Sequence, residues 1–166
     1  MATTHPIRVA RLPGLPDGIE DLAADARADG QRILEVLLAD WQSGLRFDRP
    51  GEALFAAVAG QALVGVCGLT RDPYLRTEPV GRVRRLYVLR AARRHGVGRA
   101  LVQAVVDEAR IAGWPRLRVR SPASAFAFYE ACGFLRAIGE GGATHTMPIA
   151  ARPLILPSAL PRAGRS

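Results

Sequence analysis

A strand, a glycine turn, an amphipathic helix and a second strand follow one another in the middle of the chain, and this unit most constrains the fold. Residues 80–89 read as a strand, with Val83, Leu86 and Val88 the expected buried positions. The turn is Arg93-Arg-His-Gly-Val-Gly98. A helix beginning near Gly98 then carries Leu101, Val102, Val105, Val106 and Ala109 on one face. Gly113 supplies its stop, and Trp114-Pro115 cannot continue it. Residues 117–120 form the next strand. A helix that crosses between two strands returns the chain to its starting end, so the two strands are predicted to be parallel neighbours.

The remaining segments fall around this unit. Residues 7–12 alternate as a strand, and Asp17 can cap a helix carrying Ile19, Leu22, Ala23 and Ala26. After Asp29-Gly30 a second helical stripe runs through Ile33, Leu34, Leu37, Leu38 and Trp41, with Gly44 as its stop. Residues 54–59 and 62–69 are apolar runs joined by Gly60-Gln61, which reads as a hairpin. Asp72-Pro73 and Glu78-Pro79 punctuate a loop. Ser121-Pro122 reads as a helix start, a hydroxyl cap with proline at the first helical position. That helix carries Ala125, Phe126, Phe128 and Tyr129 before Gly133, and residues 134–138 and 144–149 are the last two strands. The order β-α-α-β-β-β-α-β-α-β-β predicts a mixed, mostly antiparallel sheet of seven strands flanked by four helices, in one domain over residues 5–150. Residues 151–166 are rich in proline and arginine, lack a period and read as a tail.

Composition narrows the class. With 166 residues, 49% of them hydrophobic, the chain suits one domain with a real core. No apolar run approaches the roughly 20 residues of a membrane span, and the first six residues lack a signal-peptide pattern, so a soluble cytoplasmic protein is expected. Cys67 and Cys132 read as small hydrophobes rather than a disulfide, and no zinc spacing is present. The net charge of +8 comes from arginine alone, since the chain has no lysine. Arg82, Arg84, Arg85, Arg90, Arg93, Arg94 and Arg99 crowd one short stretch, which fits a local anionic ligand better than nucleic acid.

The turn itself has two readings. Strand, glycine loop and helix N-terminus make a ready anion site, with free N–H groups, a favourable helix dipole, and Arg93, Arg94 and Arg99 beside it. The plainer reading is a glycine turn with solvated arginines. It is neither a Walker loop nor a dinucleotide fingerprint, because Leu101 stands where the third glycine belongs.

"RRLYVLRAARRHGVGRALV" followed by "FAFYEACGF" resembles the GCN5-related N-acetyltransferases. The family's Q/R-x-x-G-x-G/A is met by Arg93-Arg94-His95-Gly96-Val97-Gly98, and its helix ending Y-x-x-x-G-F by Tyr129-Glu-Ala-Cys-Gly133-Phe134. The close match spans residues 80–136, with a weaker one over 7–149. The resemblance implies acetyl-CoA as cofactor, its pyrophosphate on backbone N–H groups of Arg94, His95, Gly96, Val97, Gly98 and Arg99, with Arg93 adjacent. It implies a pantetheine arm paired with the backbone of Leu86, Tyr87 and Val88, in a slot opened by a strand bulge and a splay of the parallel strands. Ser121, Ser124 and Phe128 would border that arm. The implied chemistry is direct attack by a primary amine of a small molecule or peptide in a ternary complex. Tyr129 is then general acid and the Val88 N–H the oxyanion donor.

The general base departs from the family pattern. Many members carry a glutamate where Arg82 stands here, and Ser121 and Ser124 occupy the neighbourhood of a frequent asparagine. Glu78 is the foremost candidate base, followed by Asp72, Glu52 and His145; a water chain or an already neutral amine needs none of them. The alternative class is a basic nucleic-acid-binding or regulatory module on a degenerate acetyltransferase scaffold. A monomer or homodimer fits either class.

Overall fold

Residues 5–150 are described by a computed structural model, and they build a seven-stranded sheet in the order β1-β2-β3-β4-β5-β7-β6. The predicted tail lies outside the described residues. In chain order the elements are β1 (Ile7–Leu12), α1 (Ile19–Ala28), α2 (Ile33–Gln42), β2 (Ala53–Ala59), β3 (Ala62–Arg71), β4 (Gly81–Val88), α3 (Val97–Ala112), β5 (Arg116–Val119), α4 (Phe126–Ala131), β6 (Leu135–Arg136) and β7 (His145–Pro148). This is the predicted succession. β1 to β4 are antiparallel, α3 crosses over, and β4 and β5 are parallel neighbours. β7 then inserts between β5 and β6.

β2 and β3 are buried along most of their length because helices cover both faces of the sheet. On one face Val83, Leu117 and Phe55 pack with Leu101, Val102 and Val105 of α3. On the other, Leu54, Val66 and Tyr87 meet Leu22 and Ala26 of α1 and Leu34 and Leu37 of α2. Cys67 is fully buried in the α3-side core, as expected of a small hydrophobe. No helix among the described residues is long and apolar enough to cross a membrane.

Two irregularities in β4 create the site. Its register with β3 pairs Val66 with Tyr87 but Gly68 with Arg84, so Arg85 and Leu86 share the place opposite Cys67. Arg85 takes the extra step at φ 57°, a left-handed conformation uncommon for a non-glycine residue. On its other edge β4 pairs with β5 only at Gly81–Leu117 and Arg82–Arg118, and beyond Arg82 the strands part. Both the bulge and the splay implied by the resemblance are present. They also correct the burial pattern: Tyr87 is buried, whereas Leu86 and Val88 are only partly covered because they border the opening.

Local capping differs from expectation at three points. Gly18, not Asp17, precedes α1, and no side chain caps that helix. Ser121 does not cap α4: Pro122 is extended, Ala123–Ala125 make a tight turn, and α4 begins at Phe126. The reason is competition, since the Ser121 N–H donates to Thr144 Oγ1 at 3.1 Å and its hydroxyl lies 3.4 Å from the same atom. The last hairpin is shorter than predicted because Phe134 closes α4, its N–H donating to the Tyr129 carbonyl at 3.0 Å.

Candidate active site

The turn after β4 is an array of backbone donors. Leu89 N–H closes the last rung to Val64 O at 2.8 Å, and the chain then passes through left-handed steps at Arg94 (φ 67°) and Gly96 (φ 76°). α3 starts at Val97, one residue earlier than predicted, without a side-chain cap. Its first internal bond runs from Ala100 N–H to Gly96 O at 3.0 Å, so among the described residues the N–H groups of Val97, Gly98 and Arg99 have no acceptor. Free donors, two left-handed steps and the positive end of a helix dipole together offer the chemistry of a candidate anion seat.

The two glycines serve different needs. Gly96 faces open space and is required by its dihedral angle. At Gly98 a Cβ would stand 3.2 Å from ring atoms of Phe128 and 3.5 Å from Val88 Cγ2. Its missing side chain lets the first turn of α3 lie against α4 and β4. His95 folds back on the turn, Nδ1 lying 2.8 Å from Arg93 O. A carbonyl only accepts, so Nδ1 carries the proton; the ring does not line the cleft.

The arginine cluster is largely neutralised by acids from elsewhere. Arg93 Nη2 lies 2.7 Å from Asp29, its Nε donates to Val88 O at 3.1 Å, and its guanidinium stacks 5.4 Å above the Tyr87 ring. Arg90 pairs with Asp25, Arg85 with Asp40 and Arg82 with Asp72. Arg93 therefore fastens the turn to Asp29 and the Val88 carbonyl while lining one end of the cleft. Arg94 is exposed without a protein partner among the described residues, and Arg99 donates to the Ala131 carbonyl at 3.2 Å.

Between the splayed strands lies a cleft of ≈ 770 Å³. Leu86, Tyr87 and Val88 form one wall, Ser121, Ser124, Phe128 and Tyr129 the other, and Arg93, Arg94, Gly96, Val97, Gly98 and Arg99 the end beside the anion seat. Because Leu89 N–H turns toward β3, backbone alternation turns the Val88 N–H toward the opening. Tyr129 is buried between Phe128 and Phe134, with ring centroids 5.1 and 5.5 Å away, and its hydroxyl has no partner among the described residues. Burial, with smaller contributions from Cys67 and Cys132, pushes the Tyr129 phenol well above its ordinary range, so it stays protonated.

None of the candidate bases lines this cleft. Glu78 is exposed and accepts from Arg116 Nη2 at 3.1 Å. Asp72 is 1% exposed and saturated: Arg82 Nη1 and Arg118 Nη1 each reach its Oδ2 at 3.1 Å, and Tyr74 N–H reaches Oδ1 at 2.8 Å. His145 is fully buried, 3.0 Å from Thr144 Oγ1 and 3.4 Å from Glu130 Oε1, edge-on to Phe126. Glu52 lines a separate cavity of ≈ 320 Å³. Among the residues lining the larger cleft there is no aspartate, glutamate or histidine.

Sequence reasoning missed the far wall, to which Gln31, Ile33 and Tyr74 contribute. It also missed the clamp beneath. Arg82 Nη2 donates to Gly142 O at 2.8 Å and Arg118 Nη2 to Gly141 O, so both guanidiniums tie the β6–β7 loop to Asp72. Arg118 Nε lies 3.2 Å from Glu140 Oε2 but off the hydrogen-bonding direction. A charge pattern alone does not separate a buried strand arginine from a solvated one.

A sheet parted beside an uncapped helix N-terminus, in this strand order, defines an α/β fold of the acetyltransferase kind. The model of the acetyltransferase (GNAT) family matches residues 16–134, and the chain belongs to that family. A search of curated protein sequences finds no match. Among solved structures, a presumed acetyltransferase from Exiguobacterium sp. 255-15 shares 28% identity at a TM-score of 0.76, covering 86% of this chain and 93% of its own. A presumed GNAT-family acetyltransferase from Desulfovibrio desulfuricans shares 20% identity at 0.68, covering 87% and 100%. Glucosamine-6-phosphate N-acetyltransferase from Arabidopsis thaliana has the same fold at 10% identity and 0.56, covering 79% and 92%.

Proposed function

We propose that this acetyltransferase moves the acetyl group of acetyl-CoA to a primary amine, held in one ternary complex within residues 5–150. The observation that carries this reading is the row of unbonded N–H groups at Val97, Gly98 and Arg99, opening onto the cleft that Tyr129 lines. These donors, with Arg94, suit a pyrophosphate, and the parted edge of β4 at Leu86–Val88 suits an amide-bearing arm. Acetyl-CoA bound there supplies an acetyl group activated as a thioester.

The chain's own groups account for the remaining chemistry. The Val88 N–H is available to stabilise an oxyanion. The Tyr129 phenol is protonated at neutral pH and can give its proton to a departing thiolate, whose own basicity rises in the same buried surroundings. With no acid or histidine lining the cleft, the amine loses its proton to water. Arg84, which has no ion pair among the described residues, favours the neutral amine there, because neighbouring positive charge disfavours an ammonium. The nucleic-acid-binding alternative is weaker, since four arginines of the basic cluster are matched by aspartates.

Calorimetric titration with acetyl-CoA, followed by thiol-release assays against amines and peptides, tests this. Binding and amine-dependent thiol release are expected. No binding at roughly tens of micromolar, an affinity of about 6 kcal/mol, would overturn the reading.

A further inference from the structure

Arg84 is the exception in its neighbourhood. It leaves β4 two residues beyond Arg82, just past the last rung to β5, where the splay begins. Its guanidinium is partly buried, yet has no hydrogen bond, ion pair or ring contact among the described residues. Arg82, Arg85, Arg90 and Arg93 each have an aspartate. Arg84 also lines both the main cleft and the second cavity of ≈ 320 Å³, and is the one described residue that the two linings share.

The second cavity is also cationic. Arg49, Arg71 and Arg76 line it with Arg84, against only Glu52 and Asp72. Asp72 already accepts from two guanidiniums. Glu52 accepts the Arg71 N–H at 3.4 Å through Oε1 while its buried Oε2 has no partner among the described residues, so one carboxylate stands against four guanidiniums there. Dehydration foremost, then repulsion from Arg85, makes it harder to keep Arg84 charged; Asp40, already paired with Arg85, offsets only part of this, and Arg82 adds further repulsion. Yet arginine does not deprotonate in proteins, so its charge calls for an anion from outside.

We propose that Arg84 is a specificity-determining residue that receives an anionic group, a carboxylate or a phosphate, borne by the acceptor amine. The proposal rests on the acetyl-transfer reading of the cleft. The acceptor's anion sits at Arg84, and its amine extends into the main cleft. A planar guanidinium engages either oxyanion through two parallel N–H···O bonds, and an acceptor lacking one leaves it dehydrated and unpaired.

The test uses matched amines in thiol-release assays: an amino acid against its methyl ester, and an aminoalkyl phosphate against the amino alcohol. Wild type is expected to favour at least one anionic member by about 30-fold or more in kcat/KM. Which pair shows the larger ratio identifies carboxylate or phosphate as the source. In Arg84→Met the ratio is expected to collapse to about threefold or less, mainly through KM, and Arg84→Lys to restore part of it. No anionic preference in wild type, a preference that survives Arg84→Met, or acetyl-CoA binding with no turnover of any anionic amine would each overturn the proposal. Calorimetry on the same samples keeps the two readings apart. Loss of acetyl-CoA binding by wild type would remove the acetyl-transfer reading and the proposal with it, whereas intact binding without anionic preference removes the proposal alone.

Discussion

The hydroxyl of Tyr87 donates to Asp25 Oδ2 across 2.8 Å, joining the cleft strand to α1. The same carboxylate accepts the Arg90 N–H at 3.0 Å and Arg90 Nε at 3.1 Å, so one side chain holds strand, turn and helix together. Asp25→Ala leaves a buried phenol unpaired and is expected to cost about 1–3 kcal/mol in urea unfolding.

Asp25 also carries a pH dependence. The Arg90 N–H foremost, then the Tyr87 and Arg90 side chains, hold its carboxyl below the usual range against the opposing effect of burial. A depressed folded value means the stabilisation is complete above the unfolded value of about 4 and is lost as pH falls through the folded one. Thermal melts from about pH 7 to pH 3 should therefore show a steeper acid-side loss in wild type than in Asp25→Ala.

Asp72 is the counter-ion of two buried guanidiniums, on Arg82 and on the fully buried Arg118. Asp72→Ala strands both charges and is expected to cost roughly 3–5 kcal/mol, read as a lower urea midpoint. Arg118→Met should cost less, because Arg82 still pairs with Asp72. Equal losses would show that the clamp is not centred on Asp72.

Tyr129→Phe removes a hydroxyl without a protein partner. Stability is expected to change little, acetyl-CoA affinity to hold within a few-fold, and turnover to fall about 100-fold. An unchanged rate assigns the acid role elsewhere.

The glycines separate conformation from packing. Gly96→Ala places a side chain in open space at φ 76°, and is expected to cost about 1 kcal/mol of stability. Gly98→Val drives carbon atoms into Phe128 and Val88, an overpacking of about 1–3 kcal/mol, with acetyl-CoA affinity falling about tenfold or more. Melts and calorimetry on both variants distinguish the effects.

Much of the architecture was legible because it rests on short-range pattern. The period of α3, the Gly60-Gln61 hairpin and the crossover between β4 and β5 each reside in contiguous residues. The placement of Tyr129 on α4 and of the glycine turn before α3 was legible because motif spacing matched the elements. What stayed hidden depends on distant partners. Arg93 and Asp29 are 64 residues apart, and Arg85 and Asp40 are 45 apart, so a local charge run looked available when most of it is paired. Ser121 looked like a helix cap because Thr144, 23 residues later, is invisible to local reading. That the base candidates lie away from the cleft was hidden for the same reason: composition shows that Glu78 and His145 exist, but only packing shows one on Arg116 and the other sealed behind Phe126.

The proposed anion seat before α3 is made from main-chain donors, so whatever specificity it has would be stored in dihedral angles rather than in side-chain identity. Residues 95 and 99 can drift widely in sequence without erasing it, provided the left-handed steps at 94 and 96 survive and Val97 keeps its place in the core. Its weak point is the main chain itself. A proline in the first turn, which a helix tolerates, would delete one donor while leaving α3 wound, uncoupling ligand recognition from folding at a single position.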